Sequence, residues 1–252
     1  CPGFYKLGRR EFGCWKEHGH GWMQLKEGIK QSCDVYFYKL GEELGVDLLS
    51  QYAESYGFGS KTGIDLPNEK SGLIPDRQWK LKRFGQRWQG GETLNMSIGQ
   101  GYTLVTPLQV GRYVAALING GRLLKPQLLC NEAPLVQKNL PLEPKELQRI
   151  QEAMIATVDE PHGTAWRLRM KQAEIGAKTG TAQVVKLFEK YKDKETHEIP
   201  YKYRDHAWMA GFGRQGSREY VVVVLVEHGG HGSTAAGPVV KAIYDYLFTE
   251  EG

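Results

Sequence analysis

The sequence predicts an α+β fold, with helices in the first two thirds and an antiparallel strand series in the last third. Three observations carry this expectation. Apolar residues recur at helical spacing over residues 35–56, 107–118 and 144–159. Strand-like stretches, one a near-continuous valine run, follow at 177–185, 206–213 and 220–227. Residues 235–247 then read as a closing helix. With 252 residues, 40% of them hydrophobic, the chain can bury a proper core. Its formal net charge of +4 is spread over interleaved acidic and basic residues, which gives no argument for a nucleic-acid partner. The longest apolar run, residues 221–226, is far too short to span a bilayer. No signal peptide is visible, and the chain opens on Cys1-Pro2-Gly3 without a Met. It is therefore expected to be a segment of something longer, and a missing anchor says nothing about the parent.

Taken in order, residues 1–21 are rich in Gly, Cys, His and Trp without a regular period, so an irregular loop is expected. A short helix is expected over 22–30, running into Ser32-Cys33-Asp34. Two short helices follow, 35–45 and 46–56, separated at Gly45 and stopped at Gly57. This fixes the Ser-Cys-Asp triplet at a helix junction. Residues 57–91, with Pro67, Pro75 and many charges, read as mostly irregular. Thr106-Pro107-Leu108-Gln109 is a helix start, with Thr at N-cap, Pro at N1 and Gln three residues after the cap. That helix runs to Ile118 and stops at Asn119-Gly120-Gly121. Residues 144–159 form another helix, with Leu147, Ile150, Met154, Ile155 and Val158 on one face. In the last third, 186–204 reads as an exposed loop, 220–227 as a well-buried strand and 229–232 as a turn.

The chemistry concentrates at Ala177-Lys178-Thr179-Gly180-Thr181-Ala182. Lys178 supplies a compact cation, the threonines supply hydroxyls, and a bare glycine edge lets a substrate lie alongside as an added strand. Lys61-Thr62-Gly63 repeats the tripeptide in an irregular segment and reads as a turn. Gly19-His20-Gly21, Ser32-Cys33-Asp34 before Phe37-Tyr38, and Thr62-Gly63-Ile64-Asp65-Leu66 come earlier in the chain. Ile98-Gly99-Gln100-Gly101 before Thr106-Pro107-Leu108-Gln109, and then Lys178-Thr179-Gly180-Thr181-Ala182-Gln183, follow in order.

In that order these pieces resemble the transpeptidase domain of class B penicillin-binding proteins, elongation branch, over nearly the whole chain. The resemblance implies a fold shared with serine β-lactamases, an antiparallel sheet flanked by helices, with its N-terminal part missing here. It implies one partial domain: 1–34 a zinc loop and second motif, 35–175 mostly helical, 176–252 sheet strands and C-terminal helix. Ser32 would relay a proton between nucleophile and leaving amine. Asp34 stands where the family usually has Asn; a carboxylate accepts hydrogen bonds but donates none unless protonated, which questions a role in holding a substrate amide. Lys178 would place positive charge beside Ser32 and the substrate carboxylate. Thr179, Gly180 and Thr181 would bind substrate, Thr181 through its hydroxyl and as half of an oxyanion hole. None of the eight serines (Ser32, Ser50, Ser55, Ser60, Ser71, Ser97, Ser217, Ser233) begins a Ser-x-x-Lys. In the family that nucleophile segment lies upstream.

The resemblance further implies a peptidoglycan D,D-transpeptidase of cell elongation and cell shape at the periplasmic face of the inner membrane, anchored by an absent N-terminal segment. Stem peptides and β-lactams would be its ligands and a membrane glycosyltransferase its partner, with no cofactor for the chemistry. A catalytically inactive scaffold of the same fold, and a serine β-lactamase or its sensor relative, remain as alternatives. Cys1, Cys14, His20 and Cys33 make a three-thiolate, one-imidazole set suited to structural zinc, and in related elongation-type enzymes this loop binds zinc. His18 is the rival to His20. Disulfides among the four cysteines are the competing reading, with Cys130 expected as an ordinary buried thiol. His162, His197, His206, His228 and His231 read as surface or core residues.

Overall fold

The computed structural model describes residues 1–129, 133–185, 191 and 194–249. Cys130 and part of the 186–204 loop lie outside the described residues. The chain divides into two compact units, Cys1–Ile150 and Gln151–Gly252.

In the N-terminal unit, β1 (Phe4–Leu7) and β2 (Arg10–Gly13) pair antiparallel, Phe4 opposite Gly13 and Leu7 opposite Arg10. Gly8, at φ +59, turns the chain between them. This hairpin corrects the expectation of an irregular loop over 1–21. Two four-residue strands are too short to show a period, and Gly8-Arg9 is a weak turn signal. The expected short helix forms as α1 (Leu25–Lys30).

The next helix, α2 (Asp34–Ser55), is two helices joined across Gly45, which sits at φ +74 and ψ 163. The two-helix expectation holds, and glycine is the residue that adopts this backbone without a Cβ penalty. Residues 57–91 are more ordered than expected. They carry α3 (Arg77–Phe84), capped by Asp76 Oδ1 accepting from Trp79 N at 2.6 Å and closed by Gly85 at φ +67. α4 (Gly90–Ser97) follows, with Glu92 folded back on the Gln89 N–H at 2.7 Å. Lysines, arginines and glycines hide both helices from a hydrophobicity count. Their ordering comes from caps and from Lys80, whose buried ammonium meets Glu92 at 2.5 Å.

The Thr106 capping box forms as read: Thr106 N–H donates to Gln109 Oε1 at 2.9 Å and Gln109 N–H to Thr106 Oγ1 at 3.2 Å, opening α5 (Pro107–Ile118). Gln109 and Arg112 on its buried face hold the 57–72 segment through the carbonyls of Ser60, Ser71, Thr62 and Gly57. Lys61-Thr62-Gly63 lies in irregular backbone and is not itself a turn, which falls at Pro67-Asn68 instead; Glu69 ties the tripeptide down, its Oε1 accepting from Thr62 N at 2.7 Å and Oγ1 at 2.6 Å. A second hairpin, β3 (Arg122–Leu124) with β4 (Val136–Asn139), precedes α6 (Pro144–Asp159).

The C-terminal unit is built on three antiparallel strands in the order β5 (Glu174–Ala182), β6 (His206–Gln215), β7 (Arg218–Val226). α7 (Gly237–Leu247) closes the chain. Ile175, Ala177, Ala207, Met209, Val222, Val240, Tyr244 and Phe248 form the core with Val158 and Leu168. β7 differs from the expectation: only Val222 of its valine run is buried, and among the described residues β7 pairs with β6 alone, which leaves its second edge uncovered.

In the N-terminal unit α2 and α4 meet at Gly41. A Cβ there would stand 2.3 Å from Ser97 Cβ. Gly41→Ala gains helix propensity of up to about 1 kcal/mol, but the clash dominates. The expected result is a net loss of about 1–3 kcal/mol in urea unfolding with an unchanged m-value; a stabilised variant would show that the helices do not meet there.

Candidate functional site

The candidate residues fall in both units. In the N-terminal unit, Cys14 directly follows β2 and faces Cys1, His20 and Cys33. The four ligand atoms all lie within 4.8 Å of one another. His20 Nδ1 is 3.5 Å from Cys1 Sγ and 3.5 Å from Cys14 Sγ. A tetrahedral ion with bonds of about 2.3 Å to sulfur and about 2.0–2.1 Å to nitrogen requires S···N edges of about 3.6 Å. The donor set and its spacing therefore fit such an ion.

The sequence builds this cluster with two glycines and a helix start. Gly3 and Gly19, at φ +104 and +75, let the first residues lie flush on the 17–21 loop; a Cβ on Gly3 would meet Glu17 O at 1.9 Å and one on Gly19 would meet Cys1 O at 2.2 Å. His20 N–H and Gly21 N–H both donate to Cys1 O at 3.1 Å, and Cys14 N–H to Gly3 O at 2.7 Å. Cys33 is the N-cap residue of α2, and its side chain is wholly buried among Phe12, Val35, Tyr38 and Leu94.

The electrostatics suit metal ligation. Burial pushes the His20 pKa down, which favours the neutral imidazole. A hydrogen bond from Cys33 holds Cys14 well below the usual thiol range, and the same contact, with burial, pushes Cys33 up. His20 Nε2 is buried with no hydrogen-bond partner, so the ring has only its Nδ1 side engaged. Cys1, Cys14 and Cys33 are free thiols, which departs from the disulfide reading. Among the described residues His18 is exposed and outside the cluster.

Ser32 stands between α1 and α2, half-buried, with φ +52. Asp34 opens α2, and its Oδ2 accepts from Trp15 N–H at 2.9 Å. The Trp15 indole N–H reaches the carbonyls of Gln31 at 2.9 Å and Ser32 at 3.0 Å. Nothing in the residue pattern singled out Trp15; its place directly after Cys14 was the available signal.

In the C-terminal unit, Lys178, Thr179, Gly180 and Thr181 lie half-buried on β5, opposite Ala210, Met209, Trp208 and Ala207 of β6. Among the described residues β5 pairs with no other strand, so its second edge is open. Lys178 Nζ donates to Thr179 O at 2.8 Å, and Thr179 Oγ1 to Thr164 Oγ1 at 3.0 Å. Thr157, wholly buried, donates to Ala177 O at 2.6 Å and pins the strand just before Lys178. Gly232 packs flush on the motif: a Cβ there would stand 2.3 Å from Trp208 O and 2.5 Å from Gly180 O. The sequence marked Gly232 only as part of a turn. His228 N–H donates to His206 Nδ1 at 2.9 Å and its own Nδ1 faces Arg204 O at 3.0 Å, a structural arrangement as expected for these histidines.

Comparison with known proteins identifies the family. Residues 1–245 match the family model described as the penicillin binding protein transpeptidase domain. The chain is 34% identical over 262 residues to peptidoglycan D,D-transpeptidase MrdA of Escherichia coli, covering 98% of this chain and 41% of that protein. It superposes on penicillin-binding protein 2 from Helicobacter pylori, solved in complex with MreC, with TM-score 0.83 and 38% identity, covering 98% of this chain and 44% of that one. For penicillin-binding protein 2 of Pseudomonas aeruginosa the TM-score is 0.84 at 34% identity, covering 100% and 54%. The chain therefore spans about two fifths of the length of the curated relatives it matches.

Proposed function

Because this chain belongs to the penicillin-binding protein transpeptidase family, we propose that it is the C-terminal part of a peptidoglycan D,D-transpeptidase acting in cell elongation. The observation that carries this reading is the Lys178-Thr179-Gly180-Thr181 run on the open edge of β5. An extended stem peptide ending in D-Ala-D-Ala docks there as an added strand. The Thr181 hydroxyl receives its terminal carboxylate, and Lys178 supplies positive charge to the reacting site.

The nucleophile is a serine of a Ser-x-x-Lys segment N-terminal to Cys1. Its oxygen attacks the penultimate D-Ala carbonyl, the C–N bond breaks, and terminal D-Ala leaves with a proton relayed through the Ser32 hydroxyl. An amine on a neighbouring strand then attacks the ester, forms the cross-link and frees the serine. Asp34 accompanies Ser32 in the motif as a hydrogen-bond acceptor. β-Lactams acylate the same serine because their ring carbonyl stands in for that amide. Cys1, Cys14, His20 and Cys33 would hold a structural zinc, which would cross-link the loop to the Ser32 motif and take no part in the chemistry.

A single family model covering 1–245 supports treating both units as parts of one transpeptidase domain. No helix among the described residues is long and apolar enough to cross a membrane. A segment outside this chain provides the anchor that holds the domain at the periplasmic face of the inner membrane. A membrane glycosyltransferase is the proposed partner. A scaffold such as MreC, present in the Helicobacter pylori complex, is a second.

Fluorescent-penicillin labelling tests the reading. The 252-residue chain stays unlabelled and the same chain extended to its Ser-x-x-Lys segment labels stably, with Lys178→Ala cutting the acylation rate by about 100-fold or more. An extended chain that never labels favours an inactive scaffold, and one that labels and rapidly turns over favours a β-lactamase. Metal analysis tests the zinc: about one ion per chain is expected, and chelation lowers the melting temperature. Protein with no zinc and no free thiols would refute that assignment.

A further inference from the structure

Trp15 is a surface residue by exposure, 60% accessible, yet it spends two N–H groups on the Ser32 motif. Its main-chain N–H donates to Asp34 Oδ2 at 2.9 Å, and its indole N–H is shared between Gln31 O at 2.9 Å and Ser32 O at 3.0 Å. Those two carbonyls belong to the peptide planes on either side of Ser32. Ser32 itself stands at φ +52, a backbone that a residue with a Cβ disfavours and holds only when its surroundings impose it. Ser32 N–H donates to Ile29 O at 3.2 Å and Cys33 N–H to Gly28 O at 3.0 Å, which ends α1. The indole N–H reaches both flanking carbonyls.

Trp15 is also tied to the cysteine cluster. It follows Cys14 directly, and its ring meets the His20 ring edge-on with centroids 5.3 Å apart. Cys33, on the other side of Ser32, belongs to the same cluster. Ser32 is thus bracketed by a cluster residue within the helix junction and by an indole anchored to the cluster loop.

We propose that Trp15 is a positioning residue for Ser32: its indole fixes the two peptide planes around Ser32, and Asp34 accepts the Trp15 main-chain N–H to lock the cluster loop onto the motif. This rests on the transpeptidase reading for its catalytic consequence. It gives the Asp at this place a purpose that Asn could share, since a side-chain amide oxygen accepts the same N–H. An ion held by Cys1, Cys14, His20 and Cys33 would fix the loop that carries Trp15, and Trp15 would pass that constraint to Ser32 without touching substrate.

The test uses the full-length protein with Trp15→Phe, Asp34→Ala and Asp34→Asn. Three readouts are taken: hydrogen exchange over 14–16 and 29–36, zinc content, and pre-steady-state acylation by a chromogenic penicillin. Trp15→Phe is expected to keep its zinc, to exchange faster over 31–34, and to lose about ten-fold in the acylation step while the initial binding constant stays within about two-fold. Asp34→Ala exchanges faster over 14–16, and Asp34→Asn restores that protection. The proposal is overturned by a Trp15→Phe protein with unchanged acylation and exchange. It is equally overturned if Trp15→Phe loses zinc along with activity, since the indole then serves the loop's fold, or if Asp34→Asn exchanges as fast as Asp34→Ala. An unmodified full-length protein that takes no penicillin label defeats the transpeptidase reading, and the exchange pattern still decides the clamp by itself.

Discussion

The burial of Cys33 is the constraint on which the N-terminal unit depends. Its side chain is completely enclosed, and its position as N-cap residue of α2 makes the core, the helix start and the cysteine cluster meet at one residue. With Cys33 drawn inward, Ser32 and Asp34 are left half-buried on either side of it. The β1–β2 hairpin exists to bring Cys14 to this point, and Gly3 and Gly19 exist to bring Cys1 and His20. Three thiols and an imidazole gathered at one point are costly to enclose by apolar packing alone, and their spacing suits a cation held on the Nδ1 side of His20.

The C-terminal unit meets a different demand: a strand must be rigid and yet keep one edge available. β5 achieves the first by pairing along its whole length with β6 and by the Thr157 hydroxyl on Ala177 O. It achieves the second by standing at the sheet edge. Gly232 lies so close to Gly180 that no side chain fits between them, which keeps the motif flat. Lysine and two threonines on such a strand make it polar, which is the basis for proposing that an extended peptide with a terminal carboxylate docks there.

Much of this was legible in the residues. The Thr106 capping box, the break at Gly45 and the junction at Ser32-Cys33-Asp34 follow from local backbone chemistry, which sequence states directly. The cluster of Cys1, Cys14, His20 and Cys33 was legible as a donor set, with His20 preferred to His18 by its place in the family pattern, and the folded chain brings His20 to the cysteines. α3 and α4 were missed because caps and the Lys80–Glu92 pair order them while their composition is charged and glycine-rich. Trp15 and Gly232 were missed because their roles lie in contacts with distant backbone, 16 to 17 residues away for the Trp15 indole, and such contacts leave no local pattern.

The central claim, that this chain carries the substrate strand and relay of a D,D-transpeptidase, is tested most directly by following a pentapeptide stem ending in D-Ala-D-Ala with the full-length protein and an acceptor amine. The account predicts release of one D-Ala for each new amide bond, with both lost together in Lys178→Ala. No D-Ala release from a folded, zinc-loaded protein would contradict it.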